Sequence, residues 1–397
     1  MPEFQTDTPR SRTRGALLKI IRNSSGVTRG ELAEATGLPA STVSHGVSRL
    51  ILEDLVSESD FVEKGVGSGS GRPGKLLWPV WSNDYVAGID FGHDYVSVAV
   101  ASHSGEILTL VSQELDAEHN PDRALSIAID LLRKSLNELG GQTLSNIVVG
   151  IPFPISEDGC VLVPLHASNW SGTNPAKLIA GILGVPVVAQ TNTVLAAIGE
   201  MNRGAAVGVK DFMYVVVSIG LGATLILNGS PYLGAGGLAG DIGHIKVPSR
   251  ADLCRCGDRG CLEATVAKAA IVNQIFHTHP RMLNTDDPFE VVDEATQRIL
   301  SEAGRALGKV LSIQSDLLDP EMVLVGGSIA EIHPSFVEGI RQIVEQPGRI
   351  AVAKQVQVVT AMLGKDAGAI GAITLALQNR GAKPRAGSNS LSANHWL

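Results

Sequence analysis

Three of the four cysteines in this 397-residue chain fall within eight residues of one another, and that crowding constrains the fold more than any other feature. The stretch from Asp241 to Glu263 reads D-I-G-H-I-K-V-P-S-R-A-D-L-C-R-C-G-D-R-G-C-L-E. Cys254, Cys256 and Cys261, with His244 ahead of them, form a Cys3His set that suits tetrahedral Zn2+. Gly257 and Gly260 let the loop turn tightly enough for the sulfurs to converge. Asp241 and Glu263 flank the set and are placed to face a pocket whose floor the metal loop holds. A disulfide between two of the cysteines is the alternative. The opening residues M-P-E-F-Q-T-D-T-P-R lack the apolar region of a signal peptide. A reducing cytoplasm is therefore the expected setting, where disulfides are rare, and Zn2+ is the expected cofactor.

The segment C-R-C-G-D-R-G-C-L-E, preceded by G-D-I-G-H, resembles the signature of the ROK family, named for repressors, open reading frames and kinases. The family holds sugar kinases and sugar-responsive transcription factors. The resemblance implies that His244 binds zinc and also touches a sugar, as in the family's kinases. It implies that Glu263 contacts a sugar hydroxyl. The family usually carries Glu where this chain has Asp241, so the pocket is one methylene roomier there.

Charge is distributed unevenly. The chain carries a formal −8, which alone argues against non-specific nucleic-acid binding. Residues 1–80, however, hold ten Lys/Arg against nine Asp/Glu, a net +1, so the remainder carries −9. Only the N-terminal segment is free of general repulsion from a phosphate backbone. No apolar run reaches the roughly 18 residues of a membrane span.

That segment, about 10–80, reads as a winged helix-turn-helix. Leu17, Leu18 and Ile21 mark a first helix. Thr28-Arg29-Gly30-Glu31 is a capping-box pattern that starts a second, which stops near Gly37. Pro39 suits the first turn of a third helix, whose Val43, Val47 and Leu50 face inward. Ser41, Thr42, Ser44, His45 and Arg49 lie outside that stripe and are the candidates for contact with a major groove. Gly46 costs helix stability and is either a point of close approach to DNA or without meaning. The run Gly67 to Lys75 (G-S-G-S-G-R-P-G-K) before Leu76-Leu77-Trp78 reads as a β-wing, with Arg72 and Lys75 reaching for phosphate or a narrow minor groove. It also resembles the wing of ROK repressors. A plain linker and a small protein-interaction bundle are the alternatives for the wing and the helices.

From about 84 to 380, apolar strands alternate with amphipathic helices, which gives an α/β class. Strands are expected at 86–92, 96–100, 147–151, 185–189, 213–217, 224–227 and 322–325, and helices at 121–139 and 290–317. Two hairpin starts suggest a duplication. The resemblance implies a two-lobed actin-like, ribonuclease H-like sugar-kinase fold, with lobes at about 84–190 plus a C-terminal helix 366–379, and 191–362. Residues 381–397 are polar and rich in Gly, Ser and Pro, and are expected to be disordered.

A kinase of this fold needs two Gly-rich phosphate loops and a carboxylate base. The family's kinases resemble D-x-G-G-T, G-T-G-I-G and E-N-D-A-N at these places. Here they read Asp90-Phe91-Gly92-His93-Asp94, Ser218-Ile219-Gly220-Leu221-Gly222 and Gln190-Thr191-Asn192-Thr193-Val194. Asn192 stands at the base position, and an amide cannot accept that proton, though it still hydrogen-bonds a hydroxyl. No kinase activity is expected. Thr191, Asn192, Asp241, His244 and Glu263 are the expected polar contacts to a sugar or sugar phosphate, with Asn169 beside Trp170 as a further one. The expectation is a repressor of sugar uptake or breakdown genes. It would bind double-stranded operator DNA as a homodimer or tetramer, with no membrane association. A DNA-binding protein that is still an ATP-dependent sugar kinase, and a regulator answering to a protein partner, are the alternatives.

Overall fold

The computed structural model describes residues 9–22, 24, 27–53, 55–58, 75–79, 84–141, 143–156, 158–163, 168–248, 250–279, 289, 293–346 and 355–378. Arg72 and the tail 381–397 lie outside the described residues. The chain divides into two compact units, Met1–Asn83 and Asp84–Leu397.

The first unit runs α1 (Pro9–Arg22), β1 (Val27–Thr28), α2 (Arg29–Thr36), α3 (Ala40–Leu52), β2 (Val56–Glu58) and β3 (Leu76–Pro79). The capping box forms. The Thr28 hydroxyl accepts from the Glu31 N–H at 3.2 Å, and the Glu31 carboxylate accepts from the Thr28 N–H at 2.8 Å. Gly37 then closes α2 in the left-handed region, at φ 65°. Leu17, Ile21, Leu32, Val43, Val47 and Leu50 meet in one core, which Leu77 of the return strand completes. The strands pair antiparallel in the order β1-β3-β2. Gly46 has a reason different from either expectation: a Cβ there would come within 2.5 Å of the Leu17 side chain. It lets α1 cross α3 closely.

In the second unit come β4 (Tyr85–Phe91), β5 (Tyr95–Ala101), β6 (Ile107–Glu114), α4 (Pro121–Glu138), β7 (Leu144–Ile151), α5 (Pro175–Leu183) and β8 (Val187–Thr191). Next are α6 (Asn192–Arg203), β9 (Phe212–Val217), β10 (Leu221–Leu227), β11 (Ser230–Tyr232), α7 (Glu263–Val266), α8 (Lys268–Thr278) and α9 (Glu294–Leu318). The unit ends with β12 (Met322–Gly326), α10 (Ser328–Ile332), α11 (Pro334–Val344), β13 (Gln357–Thr360) and α12 (Ala367–Gln378).

These strands form two five-stranded sheets, β6-β5-β4-β7-β8 and β11-β10-β9-β12-β13. Within each, the third, second and first strands pair antiparallel, and the fourth and fifth add in parallel. The repeated order is the duplication that the two hairpins suggested. Each sheet has its own core, one on Phe91, Ile147, Val149 and Trp170, the other on Val215, Leu307, Val325 and Phe336. The chain crosses from the first lobe through α6 and returns through α12, and these two helices pack on one another. A Cβ at Gly371 would overlap the Leu195 carbonyl oxygen, so the crossing depends on that glycine. No helix among the described residues is long and apolar enough to cross a membrane.

Candidate functional site

A cavity of about 240 Å³ opens between the two lobes. The β8–α6 junction supplies Thr191 and Asn192, the β9–β10 turn supplies Ser218 and Gly220, and the segment after β11 supplies Asp241 and His244. Glu263, the first residue of α7, forms part of its floor. Pro152, Phe153 and Leu162 make an apolar wall. The volume lies below the ~300–1,000 Å³ usual for drug-sized ligands, so the space suits a smaller polar molecule.

Five expected contacts, Thr191, Asn192, Asp241, His244 and Glu263, therefore share one cavity. Asn192 donates its amide to the Phe91 carbonyl at 3.3 Å, which turns its carbonyl oxygen free for a ligand. Glu263 accepts from the Leu221 N–H at 3.1 Å with one oxygen, and the other stays 3.9 Å from the Cys254 sulfur. Asn169 stands elsewhere. It is not among the lining residues, and its amide donates to the His119 carbonyl at 2.7 Å. Trp170 is fully buried against Phe91, with its indole N–H on the Ala117 carbonyl at 2.8 Å, and belongs to the core.

The loop between His244 and Glu263 brings the four metal candidates together. Gly257 and Gly260 adopt φ 91° and 75°, and a Cβ at Gly260 would press on the Arg250 carbonyl. The donor atoms of His244, Cys254, Cys256 and Cys261 all lie within 4.8 Å of one another. Zn–S bonds of about 2.3 Å at a tetrahedral angle imply S···S near 3.8 Å. Cys256 and Cys261 are separated by 3.8 Å, and Cys254 lies 3.8 Å from His244 Nδ1. All four cysteines of the chain are free thiols, so the disulfide alternative is not formed. Burial pushes the Cys254 thiol up to about 12, whereas the hydrogen bond from the Asp258 backbone lowers Cys256. A buried thiol of that kind gives up its proton readily only when a metal ion displaces it. The residues fit a metal. Lys246 adds an outer contact, donating to Cys261 Sγ at 3.4 Å and to the Arg259 carbonyl at 2.8 Å.

Two residues that sequence reasoning did not single out, Arg255 and Glu118, meet at the site beside His93. Arg255, between two metal-ligand candidates, reaches the first lobe and bonds Glu118 at 2.7 Å. His93 Nδ1 meets the other oxygen of Glu118 at 2.8 Å, and its ring stands edge-on to Phe153. Burial raises Glu118, but the His93 hydrogen bond and the charges of His93 and Arg255 outweigh it and hold the carboxyl below its usual range. Glu118 lies in a turn whose letters, D-A-E-H-N-P, spell no motif.

On the first unit, Ser41, Thr42, His45 and Arg49 are exposed on one side of α3, and Ser44 is half-buried with its carbonyl bonded by Arg29. Lys75 is exposed at the start of the return strand, 3.9 Å from Glu58.

A two-lobed sugar-kinase-like unit with a metal loop at its cleft, preceded by a winged three-helix unit, defines the class of protein. The model of the ROK family matches residues 86–379, most of the chain, and one described as winged helix-turn-helix DNA-binding matches 10–57. The chain belongs to the ROK family. A xylose repressor of Bacillus spizizenii is 28% identical over 367 residues, covering 91% of this chain and 94% of the repressor. A glucokinase of Halalkalibacterium halodurans is 28% identical over 313 residues, covering 73% of this chain and 94% of the kinase. A crystal structure of a ROK family transcriptional regulator, a homologue of the E. coli MLC protein, superposes with a TM-score of 0.72 at 22% identity, covering 93% of this chain and 97% of that one. A DNA-binding segment ahead of a ROK domain is the organisation of a sugar-responsive DNA-binding regulator.

Proposed function

We propose that this protein represses genes of sugar uptake or catabolism in the cytoplasm and is released from, or tightened on, its operator by a monosaccharide held without turnover. The observation that carries the reading is the cavity. Thr191, Asn192, Asp241, His244 and Glu263 line it together, and by the family resemblance the Asn192 amide falls where phosphoryl transfer needs a carboxylate base. An amide there orients a hydroxyl and takes no proton. The glucokinase among the relatives keeps the kinase reading as the rival.

Charge favours an uncharged sugar over a sugar phosphate. Asp241 and Glu263 present carboxylates to the cavity, and the one guanidinium among its lining residues, Arg255, is already paired with Glu118. The names of the relatives make D-xylose the first probe. Zn2+ on His244, Cys254, Cys256 and Cys261 holds the wall that carries His244 and Glu263. On the DNA side, Ser41, Thr42, Ser44, His45 and Arg49 enter the major groove, and Arg72 and Lys75 reach a phosphate or a narrow minor groove. Two copies meet an inverted repeat as a homodimer, since two half-sites reward two-fold symmetry.

The test is fluorescence anisotropy of the full chain on its own upstream DNA, titrated with D-xylose, D-glucose, N-acetylglucosamine and their phosphates. A severalfold shift with one neutral sugar supports the reading. Sugar-dependent hydrolysis of ATP would overturn the loss of catalysis, and tight DNA binding that no sugar moves would point to a protein effector.

A further inference from the structure

The cleft is bridged by an ion chain that neither the metal site nor the sugar contacts require. Glu118 belongs to the first lobe, in the connection between β6 and α4, and is only 4% exposed. Its two oxygens are taken by two different side chains. His93, from the β4–β5 turn of the same lobe, holds one oxygen at 2.8 Å, and its backbone carbonyl also accepts from the Ala117 and Glu118 N–H groups. Arg255, from the metal loop of the second lobe, holds the other at 2.7 Å. The Arg255 Nε lies 3.8 Å from Glu263, so one guanidinium stands between a carboxylate of each lobe. His93 and Arg255 both line the cavity.

We propose that His93, Glu118 and Arg255 form a latch that ties the metal loop to the first lobe and holds the cleft in its closed, sugar-ready geometry. Opening the lobes withdraws Arg255 from a buried carboxylate, and a buried charge that loses one partner is costly. The latch therefore biases the sugar-free protein toward closure and pre-organises the floor at Glu263. His93 replaces glycine in the first phosphate loop of the kinases, and its ring here anchors Glu118. These are positioning residues; the effector contacts remain those named above. The consequence for the effector rests on the reading of the cavity as a sugar site, whereas the latch itself does not.

Hydrogen exchange of the zinc-loaded full chain, read by mass spectrometry without sugar, tests the latch directly. Arg255→Met should speed exchange across residues 115–120, in the lobe that does not carry the substitution, at least tenfold. Glu118→Gln should do the same to 246–262, at constant zinc content. The double variant should exchange no faster than the faster single one. Changes confined to the substituted lobe, or additive effects in the double variant, would overturn the proposal. Because Arg255 is partly exposed, its substitution tests the idea even if Glu118→Gln does not fold, and Arg255→Lys, which keeps the cation, should recover part of the protection. With the latch broken, the apparent dissociation constant for D-xylose, or whichever probe sugar moves the wild type, should rise at least fivefold as the closed fraction falls. A wild type that answers no sugar sinks the effector reading and leaves the exchange result standing. A sugar response combined with lobe-confined exchange sinks the latch alone.

Discussion

Asp90 is the penultimate residue of β4, in the middle of the first sheet, and is 1% exposed. One oxygen accepts from the Tyr95 hydroxyl at 2.9 Å, and the other, Oδ1, finds no partner. Gly150 and Gly368 press on the carboxyl so closely that a Cβ at either would overlap it. Burial raises its pKa to about 7 from the ordinary 3.8, against the lowering effect of the Tyr95 bond and with a further rise from Asp366. Tyr95 and Tyr214 nearby are themselves raised and stay neutral, so neither adds a further negative charge. The folded state thus keeps a proton that the unfolded chain gives up. Stability from this site is complete below pH ~4, falls as pH rises, and is gone once pH passes ~7. At 1.36 kcal/mol per pKa unit the full effect is on the order of 4 kcal/mol, of which about 2.5 kcal/mol is lost between pH 5 and 8.

Asp90→Asn keeps the shape and the acceptor for Tyr95 while removing the charge. It should stabilise the protein at pH 8, and its advantage over wild type should widen by about 2.5 kcal/mol from pH 5 to pH 8. Urea unfolding of both proteins at each pH gives that difference directly, and titration of every other group cancels between them. A gap that stays constant across the range would refute the argument that Asp90 is held protonated by its burial.

Other perturbations separate the parts of the molecule. Cys256→Ser should cut zinc content well below one per chain by elemental analysis and blunt any sugar response, while DNA binding on the first unit persists. Asn192→Asp restores only the carboxylate; with His93 and Asp94 still in the first phosphate loop, a coupled assay should detect no sugar-dependent ATP turnover. Gly371→Ala drives a methyl group into the Leu195 carbonyl and should cost ~1–3 kcal/mol or more in urea unfolding, whereas Gly46→Ala meets only the movable end of Leu17 and should cost far less. Arg49→Ala should weaken DNA binding and reduce the slope of log affinity against log salt by about 1 if Arg49 contacts a phosphate.

What the sequence disclosed follows from how local each interaction is. The metal loop was legible because its four donors sit within eighteen residues and two glycines mark the turns. Strands such as Ile147–Ile151 and Met322–Val325 announced themselves as apolar runs between turn residues, because both faces of each central strand are buried. The capping box of α2 was legible for the same reason of proximity. Glu118 and Arg255 are 137 residues apart and meet only because the lobes face one another. Nothing in either neighbourhood encodes that meeting. Trp170 is open to two readings from sequence for a related cause: an aromatic next to a polar residue suits a sugar platform or, more often, a core, and the 53-residue reach of its indole to Ala117 decides for the core only in three dimensions. Gly46 reads from sequence as a point of close approach to DNA or as without meaning, because its partner, Leu17, lies on the far side of α2 in the chain.

The joint between the lobes explains how a kinase-like body can serve as a sensor. Glu200, in the last turn of α6, is fully buried, and its carboxylate accepts three backbone N–H groups, from Ala205 at 2.7 Å, Met362 at 2.9 Å and Leu363 at 2.7 Å. Those partners lie on the outgoing and the returning crossings of the chain, so one side chain binds both to the α6–α12 contact. A joint fixed in this way leaves rotation about the crossing as the cheap motion, because stretching it would orphan charge-assisted bonds in the interior. A kinase uses such a motion to exclude water and then spends the bound sugar. On the proposed reading, an amide at position 192 holds the sugar without consuming it, so occupancy of the cleft follows its concentration alone. Closure then becomes a thermodynamic readout, shifted only as far as the sugar prefers the closed form. On the same reading, the Arg255–Glu118 bridge sets the starting point of that equilibrium, and contacts of the sugar with Asn192, His244 and Glu263, which line the cavity, set how far it can be moved.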